Sequence, residues 1–469
     1  MTARVSNIAL LSLGCPKNQV DSEILLGQLN GSGLRYVQDA RNADVLIINT
    51  CSFIQDAIRE SVDEIMGGIQ WKQDKPGRKL FVMGCLPQRY PNELAKQLPE
   101  VDGFFGVGDF RGIVEAMSVA VRWGHLTPHS SKQSPGVRRG RLTPRNGGGR
   151  VTAHDFDDPF LRRQLLSPPH TAYLRISDGC SQGCRYCTIP RIRGPHRSRR
   201  LEDIIRETEK LASNGVVELI VIGQETTSYG TDLEPQTNLL SLLRNLSGVD
   251  GIRWIRLMYT HPPALTDDMI RGLGTVEHLC AYLDFPIEHA SDRILRAMGR
   301  KTNQDRLRQQ IQLLRNTIPN IALRTSLIVG YPGEGESEFR ELTDFLDETR
   351  FEHLGVFVFS PEDGTPAKDL PDAVSPEEAR DRRDQVMMLA EEWAEECNQS
   401  RIRSEEVVLV DEVDLTTKTS IARTQFDAPE IDGIVIIDGI LDSGRFETVS
   451  ITGIRGHDLI ARKQNTEAA

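Results

Sequence analysis

The hydrophobic and polar positions fall into three regimes along the chain. In the first, short apolar runs alternate with polar, helix-compatible stretches. Ile8–Leu13 closes at Gly14-Cys15, Ala43–Asn49 at Thr50-Cys51, and Leu80–Met83 at Gly84-Cys85, with Val20–Leu29 and Gln55–Ile65 between them. Buried apolar strands that alternate with helices predict a parallel, doubly wound α/β sheet over residues 1–124. The second regime repeats β–α units over 166–370: Val216–Ile222, Ile252–Met258, Ala281–Phe285, Ile321–Val329 and Leu354–Phe359, each followed by glycines, prolines or polar residues. That pattern predicts a full or partial (β/α) barrel with its site at the carboxyl ends of the strands. Ser375–Ser400 reads as a helix: Ser375 caps it, Pro376 and Glu378 complete the start, and Val386, Leu389, Ala390, Trp393 and Cys397 form its apolar stripe. In the third regime, five short strands (Val407–Val413, Thr419–Arg423, Gly433–Asp438, Thr448–Ile454 and Leu459–Arg462) fit a small antiparallel, OB-like β-barrel over 401–469.

Residues 125–165 break the alternation. His125–Arg150 is rich in Ser, Pro and Gly, and Pro128–Val151 carries Lys132, Arg138, Arg139, Arg141, Arg145 and Arg150 with no acidic residue. Such composition reads as a flexible basic linker, with contact to ribosomal RNA as the alternative. The expected domains are therefore 1–124, the linker 125–165, 166–400 and 401–469.

Charge narrows the partners. The chain has 56 Lys and Arg against 67 Asp and Glu, a net charge of −11, which disfavours a global grip on nucleic acid. Between Ser400 and Lys463 there are 12 acidic and 8 basic residues, with Phe426 and Phe446 the only aromatics. Nucleic-acid-binding barrels offer positive charge and stacking rings, so this one suits a basic protein segment better. No apolar run is long enough to span a bilayer, and MTARVSNIALLSLGC has the wrong flanks for a signal peptide. A cytoplasmic location is expected, with eight cysteines serving metal or redox chemistry rather than disulfides.

Six of those cysteines form two sets. Cys180, Cys184 and Cys187 stand in a C-x3-C-x2-C spacing, with Tyr186 before the third. Three soft ligands suit iron–sulfur or zinc chemistry. A structural zinc site needs a fourth ligand, for which His196 is the nearest candidate in sequence. A three-thiolate loop instead suggests a 4Fe-4S cluster with one iron open to an exogenous ligand. Cys15, Cys51 and Cys85 each follow a strand, where ligands of open α/β sheets bind. One such cysteine alone reads as a small buried residue; three in equivalent places predict a second three-thiolate site, with Asn18 as a neighbour or a helix-start residue. Cys280 and Cys397 read as structural.

Three strand-end cysteines, then C-x3-C-x2-C, then a small terminal barrel together resemble the methylthiotransferases of the radical S-adenosylmethionine (SAM) superfamily. These join an N-terminal cluster domain to a radical SAM barrel and a C-terminal TRAM domain. SLGCPKNQVDSE (12–23), INTCSFI (48–54), GCLPQRYP (84–91), IPRIRGPHRSR (189–199) and GQETTSYG (223–230) look like the branch that modifies an aspartate of ribosomal protein S12 at its β-carbon. The tRNA-modifying branch carries Gln-Met-Asn where this chain has Pro16-Lys17-Asn18. The resemblance implies two 4Fe-4S clusters as the catalytic centres. One, on Cys180, Cys184 and Cys187, cleaves SAM to a radical. The other, on Cys15, Cys51 and Cys85, carries the sulfur that a second SAM methylates. It also implies SAM contacts at Tyr186, Gly223, Gln224, Glu225, Ser326, Gly330 and Glu334, and carboxylate recognition by Arg193 or Arg197. Sulfide or another sulfur donor, and an electron donor such as flavodoxin or ferredoxin, are the further implied partners; S12 is modified free or in the small subunit. Glu225 and Glu288 depart from the family pattern, which has Asp and Gln there. Two other functions stay open: tRNA adenosine methylthiolation, which needs an RNA-binding barrel, and a non-catalytic iron–sulfur protein.

Overall fold

The computed structural model describes residues 6–30, 34–122 and 159–464. The chain divides into two compact units. The first is Met1–Leu166 with Gly179–Ser181 and Thr188–Pro195; the second holds Ser167–Asp178, Gln182–Cys187 and His196–Ala469.

The first unit is built on five parallel strands, β1 (Ser6–Ser12), β2 (Leu34–Tyr36), β3 (Val45–Thr50), β4 (Lys79–Gly84) and β5 (Gly103–Phe105), in the order β2-β1-β3-β4-β5. Alternate residues of β3 serve opposite faces. Leu46 and Ile48 pack with Ile65 and Ile69 of helix α2 (Gln55–Gln73) on one face. Val45 and Ile47 pack with Leu25 and Leu29 of helix α1 (Pro16–Leu29) and with Ile113 and Met117 on the other. Both faces are covered, so every residue of β3 is buried and its sequence is a continuous apolar run rather than an alternating one. The doubly wound reading holds; β2 and β5, three residues each, carry too little pattern to be read from sequence.

Helix α1 follows a different rule. It starts at Pro16, whose missing N–H costs nothing at that position, yet it buries Lys17, Asn18, Asp21, Ser22 and Glu23 as well as apolar residues. Buried polar groups need partners, and they have them here. Ser22 bonds Ser12 (2.9 Å) and receives a bond from Asn49 (2.9 Å). Glu23 accepts from Arg163 (3.2 Å) and from the Leu166 N–H (3.0 Å). Residues 160–165, the last of the expected linker, and Leu166 after them thus lie against α1; 125–158 of that expectation fall outside the described residues.

The second unit carries six parallel strands in sequential order: β6 (Thr171–Arg175), then β9 (Glu218–Ile222), β10 (Trp254–Leu257), β11 (Leu279–Asp284), β12 (Ala322–Val329) and β13 (His353–Val358), with a two-stranded ribbon of β7 (Ser177–Asp178) and β8 (Arg197–Ser198). The six do not close, so this is the partial barrel of the two expectations. The helix Pro376–Ser400 begins with the Ser375 hydroxyl accepting from the Glu378 N–H. It lies along β13, burying Val386 and Trp393. Five further strands, β14 (Glu405–Asp414), β15 (Thr419–Thr424), β16 (Val435–Asp438), β17 (Phe446–Arg455) and β18 (Asp458–Lys463), form a closed barrel in the order β14-β15-β16-β18-β17.

That barrel is held to the lower ends of β9 and β10 by a buried charge network. Glu218, fully buried, accepts from Arg423 (2.7 Å) and Arg256 (3.1 Å), and Arg423 also reaches Asp411 (2.6 Å). Phe446 adds an edge-on contact to Trp254 at 4.9 Å, with the Arg253 guanidinium 3.9 Å from its ring centre. No helix among the described residues is long and apolar enough to cross a membrane.

Candidate active site

In the first unit, the carboxyl ends of β1, β3 and β4 bring Cys15, Cys51 and Cys85 together. A Cβ built on Gly14 would stand 2.6 Å from Cys51 Cβ, so only glycine, at φ +86°, lets the β1 end approach β3 this closely. Asn18 Nδ2 donates to Leu13 O (2.9 Å) and Thr50 O (3.0 Å), stapling the two strand ends. Its Oδ1 stands 3.7 Å from Cys85 Sγ. Arg193 enters the same place. One Nη bonds Asn18 Oδ1 at 2.7 Å and lies 3.9 Å from Cys85 Sγ, and the other is 3.0 Å from Asp21 Oδ2. The sequence offered Arg193 for a carboxylate of SAM or substrate; in the structure it meets Asp21 and the cysteine pocket.

The three thiols sense one another. Burial pushes Cys85 up to about 12, against the pull of Arg193, and Cys15 and Cys51 push it the same way. Burial and Cys15 raise Cys51. For Cys15 burial also works upward, but Lys17, Arg193 and the N–H groups at the start of α1 outweigh it and leave the thiol below its ordinary value.

In the first unit, Gly179–Ser181 runs tightly against Gly194 and Pro195. A Cβ on Gly179, at φ +76°, would lie 2.1 Å from Pro195 O, so the two stretches pack backbone to backbone. The Cys180 N–H donates to Gly194 O (3.1 Å) and, in the second unit, the Cys187 N–H to Cys184 O (3.2 Å). There, Arg300 Nη1 stands 3.8 Å from Cys184 Sγ, and its other Nη bonds Pro286 O and lies 3.8 Å from Glu288. Burial raises the Glu288 carboxyl despite Arg300 and its hydrogen bond with Tyr186. Tyr186 is pushed well up by burial and Glu288. Among the described residues no three His, Cys, Asp or Glu side chains are arranged to hold a single metal ion.

Of the expected SAM contacts in the second unit, Gly223, Gln224 and Glu225 follow β9, Ser326 lies within β12, Gly330 and Glu334 follow it, and Tyr186 lies in the cysteine segment. Gln224, after β9, has a buried Oε1 with no partner among the described residues. Glu225 is occupied: it accepts from Gln182 (3.0 Å) and the Ser228 N–H (3.0 Å). Gly223 lies against Ser177 Oγ and Gly330, at φ +75°, against Ala379. The Ser326 carbonyl accepts from the Glu288 N–H (2.9 Å). Glu334 is buried and braced by Arg382 (3.0 Å) and the Tyr331 N–H (3.2 Å). Arg197 lies on β8, 3.7 Å from Asp178. Sequence reasoning gave no role to Arg300 or to His261. His261, after β10, is 7% exposed with neither ring nitrogen partnered among the described residues. Burial, Arg300 and Lys301 hold its imidazole near pKa 3 and therefore neutral. Its place at a strand end was the available signal.

Residues 7–106 match the family described as UPF0004, 174–346 the radical SAM superfamily, and 404–463 the TRAM domain. The protein named ribosomal protein uS12 methylthiotransferase RimO from Clostridioides difficile is 40% identical over 97% of this chain and 98% of its own length. Its counterpart in Geobacter sulfurreducens is 41% identical over 98% and 99%. The chain belongs to the RimO family. It is a transferase of the radical SAM superfamily, and its TRAM domain is the closed five-stranded barrel. Beyond RimO relatives, the cobalamin- and [4Fe-4S]-containing radical SAM methyltransferase TsrM from Kitasatospora setae shares the fold, with a TM-score of 0.53 at 15% identity over 77% of each chain.

Proposed function

We propose that this enzyme adds a methylthio group to the β-carbon of an aspartate in ribosomal protein uS12, the substrate named for its relatives. The observation that carries the reading is the presence of two separate three-cysteine sets, neither with a fourth thiolate at hand, in one RimO-family chain. Cys180, Cys184 and Cys187 would hold one 4Fe-4S cluster and Cys15, Cys51 and Cys85 the other. The donor sets fit: all six are thiols, and the second set shares a pocket with a buried guanidinium suited to anionic sulfur. Side-chain acids and bases move protons and cannot efficiently take a hydrogen atom from an unactivated carbon. When bound, SAM and the two clusters supply that radical chemistry, a methyl group and a transferable sulfur.

The chain's own residues bind and orient. Gln224 Oε1 is a free acceptor for a donor on the ligand, and neutral His261 offers one donor and one acceptor. Glu225 holds Gln182 of the cluster loop, and Arg300 sets its charge beside Cys184. Glu334 is a brace for the β12 turn, its oxygens already on protein groups. An electron donor such as flavodoxin or ferredoxin and a sulfide source complete the requirements.

A protein substrate rather than tRNA is supported by the terminal barrel. Its acidic balance repels phosphate, and both its aromatics are engaged: Phe446 with Trp254 and Arg253, and Phe426 with Arg401 5.4 Å from its centre. The test offers uS12 and bulk tRNA separately to anaerobically reconstituted enzyme with SAM, sulfide and a strong reductant, followed by mass spectrometry. A methylthio gain on a uS12 aspartate is expected; a gain on tRNA adenosine alone would overturn the substrate. Cys184→Ala is expected to abolish SAM cleavage. Cys51→Ala is expected to spare SAM cleavage and stop methylthiolation.

A further inference from the structure

Arg193 follows Cys187 by six residues in sequence, within the stretch that continues the C-x3-C-x2-C motif, but its guanidinium serves the other cysteine set. Its side chain is 2% exposed, as is that of Asp21. A buried guanidinium is costly unless its donors are matched, and here each arm is assigned. One Nη takes Asp21 Oδ2 at 3.0 Å; the other takes Asn18 Oδ1 at 2.7 Å and stands 3.9 Å from Cys85 Sγ. Asn18 is itself fixed, because its Nδ2 is committed to Leu13 O and Thr50 O. The charge is therefore held in one place against a sulfur rather than free to swing away.

A packing role alone does not call for a permanent charge at that spot. Three thiolates, and any anionic sulfur added at an open iron, accumulate negative charge in a low-dielectric pocket. A fixed cation beside one of the sulfurs stabilises the more negative state, and hydrogen bonds and charges near cluster sulfurs are among the groups that set reduction potentials. We propose that Arg193 is a positioning residue for the cluster on Cys15, Cys51 and Cys85: it raises that cluster's reduction potential and strengthens the binding of anionic sulfur at its open iron. The proposal rests on the reading that these three cysteines hold a cluster. Asp21 sets the strength of the effect, since it neutralises part of the guanidinium charge.

The experiment uses the full chain with Cys180, Cys184 and Cys187 replaced by Ala, so that one cluster remains. Iron is quantified first. About four irons per chain sustain the underlying reading; iron-free protein sinks that reading itself, and the proposal with it. Arg193→Gln, Arg193→Lys and Asp21→Asn are then compared by EPR-monitored redox titration and by titration with hydrosulfide. Arg193→Gln is expected to lower the midpoint potential and to weaken hydrosulfide binding by about tenfold or more, the worth of a charge-assisted hydrogen bond. Asp21→Asn is expected to shift the potential the opposite way, and Arg193→Lys to retain part of the wild-type behaviour. A structural role would not produce opposite signs. Iron-loaded Arg193→Gln with unchanged potential and hydrosulfide affinity would overturn the proposal, as would Arg193→Gln and Asp21→Asn shifting the potential in the same direction. Should Arg193→Gln fail to fold, the same reversal is read between Arg193→Lys and Asp21→Asn.

Discussion

Glu218→Gln tests what fastens the terminal barrel to the radical SAM core. The carboxylate is fully buried and answers two guanidiniums, Arg256 at 3.1 Å and Arg423 at 2.7 Å, while Thr171 donates to it at 3.2 Å. The substitution keeps shape and volume, removes the charge and turns one acceptor oxygen into an amide donor. Arg423 then keeps Asp411, itself bonded to His170 at 2.9 Å, but Arg256 is left with backbone carbonyls, at Gln425 and Thr424. Breaking a buried pair from one side costs about 3–5 kcal/mol, because the remaining charge stays desolvated. For a unit of this size, that corresponds to a fall of roughly 5–8 °C in melting temperature. Thermal and urea unfolding of Glu218→Gln, Arg423→Met and the double variant give the cycle, and a coupling above about 2 kcal/mol is expected. A loss below about 1 kcal/mol, the worth of an exposed pair, would refute the network as the fastening.

The same network sets a pH dependence. Burial raises Glu218, but Arg423 and Arg256 more than offset it. Burial likewise raises Asp411, and His170 and Arg423 more than offset that, so both carboxyls sit below their ordinary values. A depressed folded-state pKa stabilises above the unfolded value and is lost as pH falls through the folded one. Melting temperature should therefore drop below about pH 4, and less steeply in Glu218→Gln; equal slopes would contradict the assignment. Phe446→Ala removes the ring between Trp254 and Arg253 and should cost about 3 kcal/mol, read by urea unfolding. Gly179→Ala puts a Cβ 2.1 Å from Pro195 O at a positive φ, and reconstituted protein is expected to bind clearly less iron than wild type.

Where cysteines close apolar runs, the hydrophobic pattern was enough to bring them together. Runs ending in Cys15, Cys51 and Cys85 announced both the sheet and the cysteine pocket, because strands buried on two faces must be apolar throughout and their ends must meet. The five barrel strands were legible for the opposite reason, a short alternation between turns. Helix α1 marks the limit. Lys17, Asn18, Asp21, Ser22 and Glu23 stand at the start of a polar, helix-compatible stretch, and all are buried, which the local pattern gives no sign of. What reverses the reading is partners far along the chain: Arg193 lies 175 residues from Asn18, and Arg163 lies 140 from Glu23. No local periodicity encodes such a pairing. Glu218 with Arg423, 205 residues apart, and Glu334 with Arg382 are hidden in the same way.

The pattern of misses carries its own argument. Apolar burial is non-directional and roughly proportional to area, so it leaves its trace in the order of residue types. A buried ion pair is worth something only at one geometry with one partner, so its trace is a lone polar residue where the surrounding pattern calls for an apolar one. In α1 these residues follow Cys15 directly, in the PKNQVDSE stretch that also carried the family resemblance. The resemblance therefore marked polar residues whose burial periodicity did not predict. Burial of Asn18 and Asp21 around a guanidinium explains in physical terms why a sequence at that point is more specific than a helix start requires.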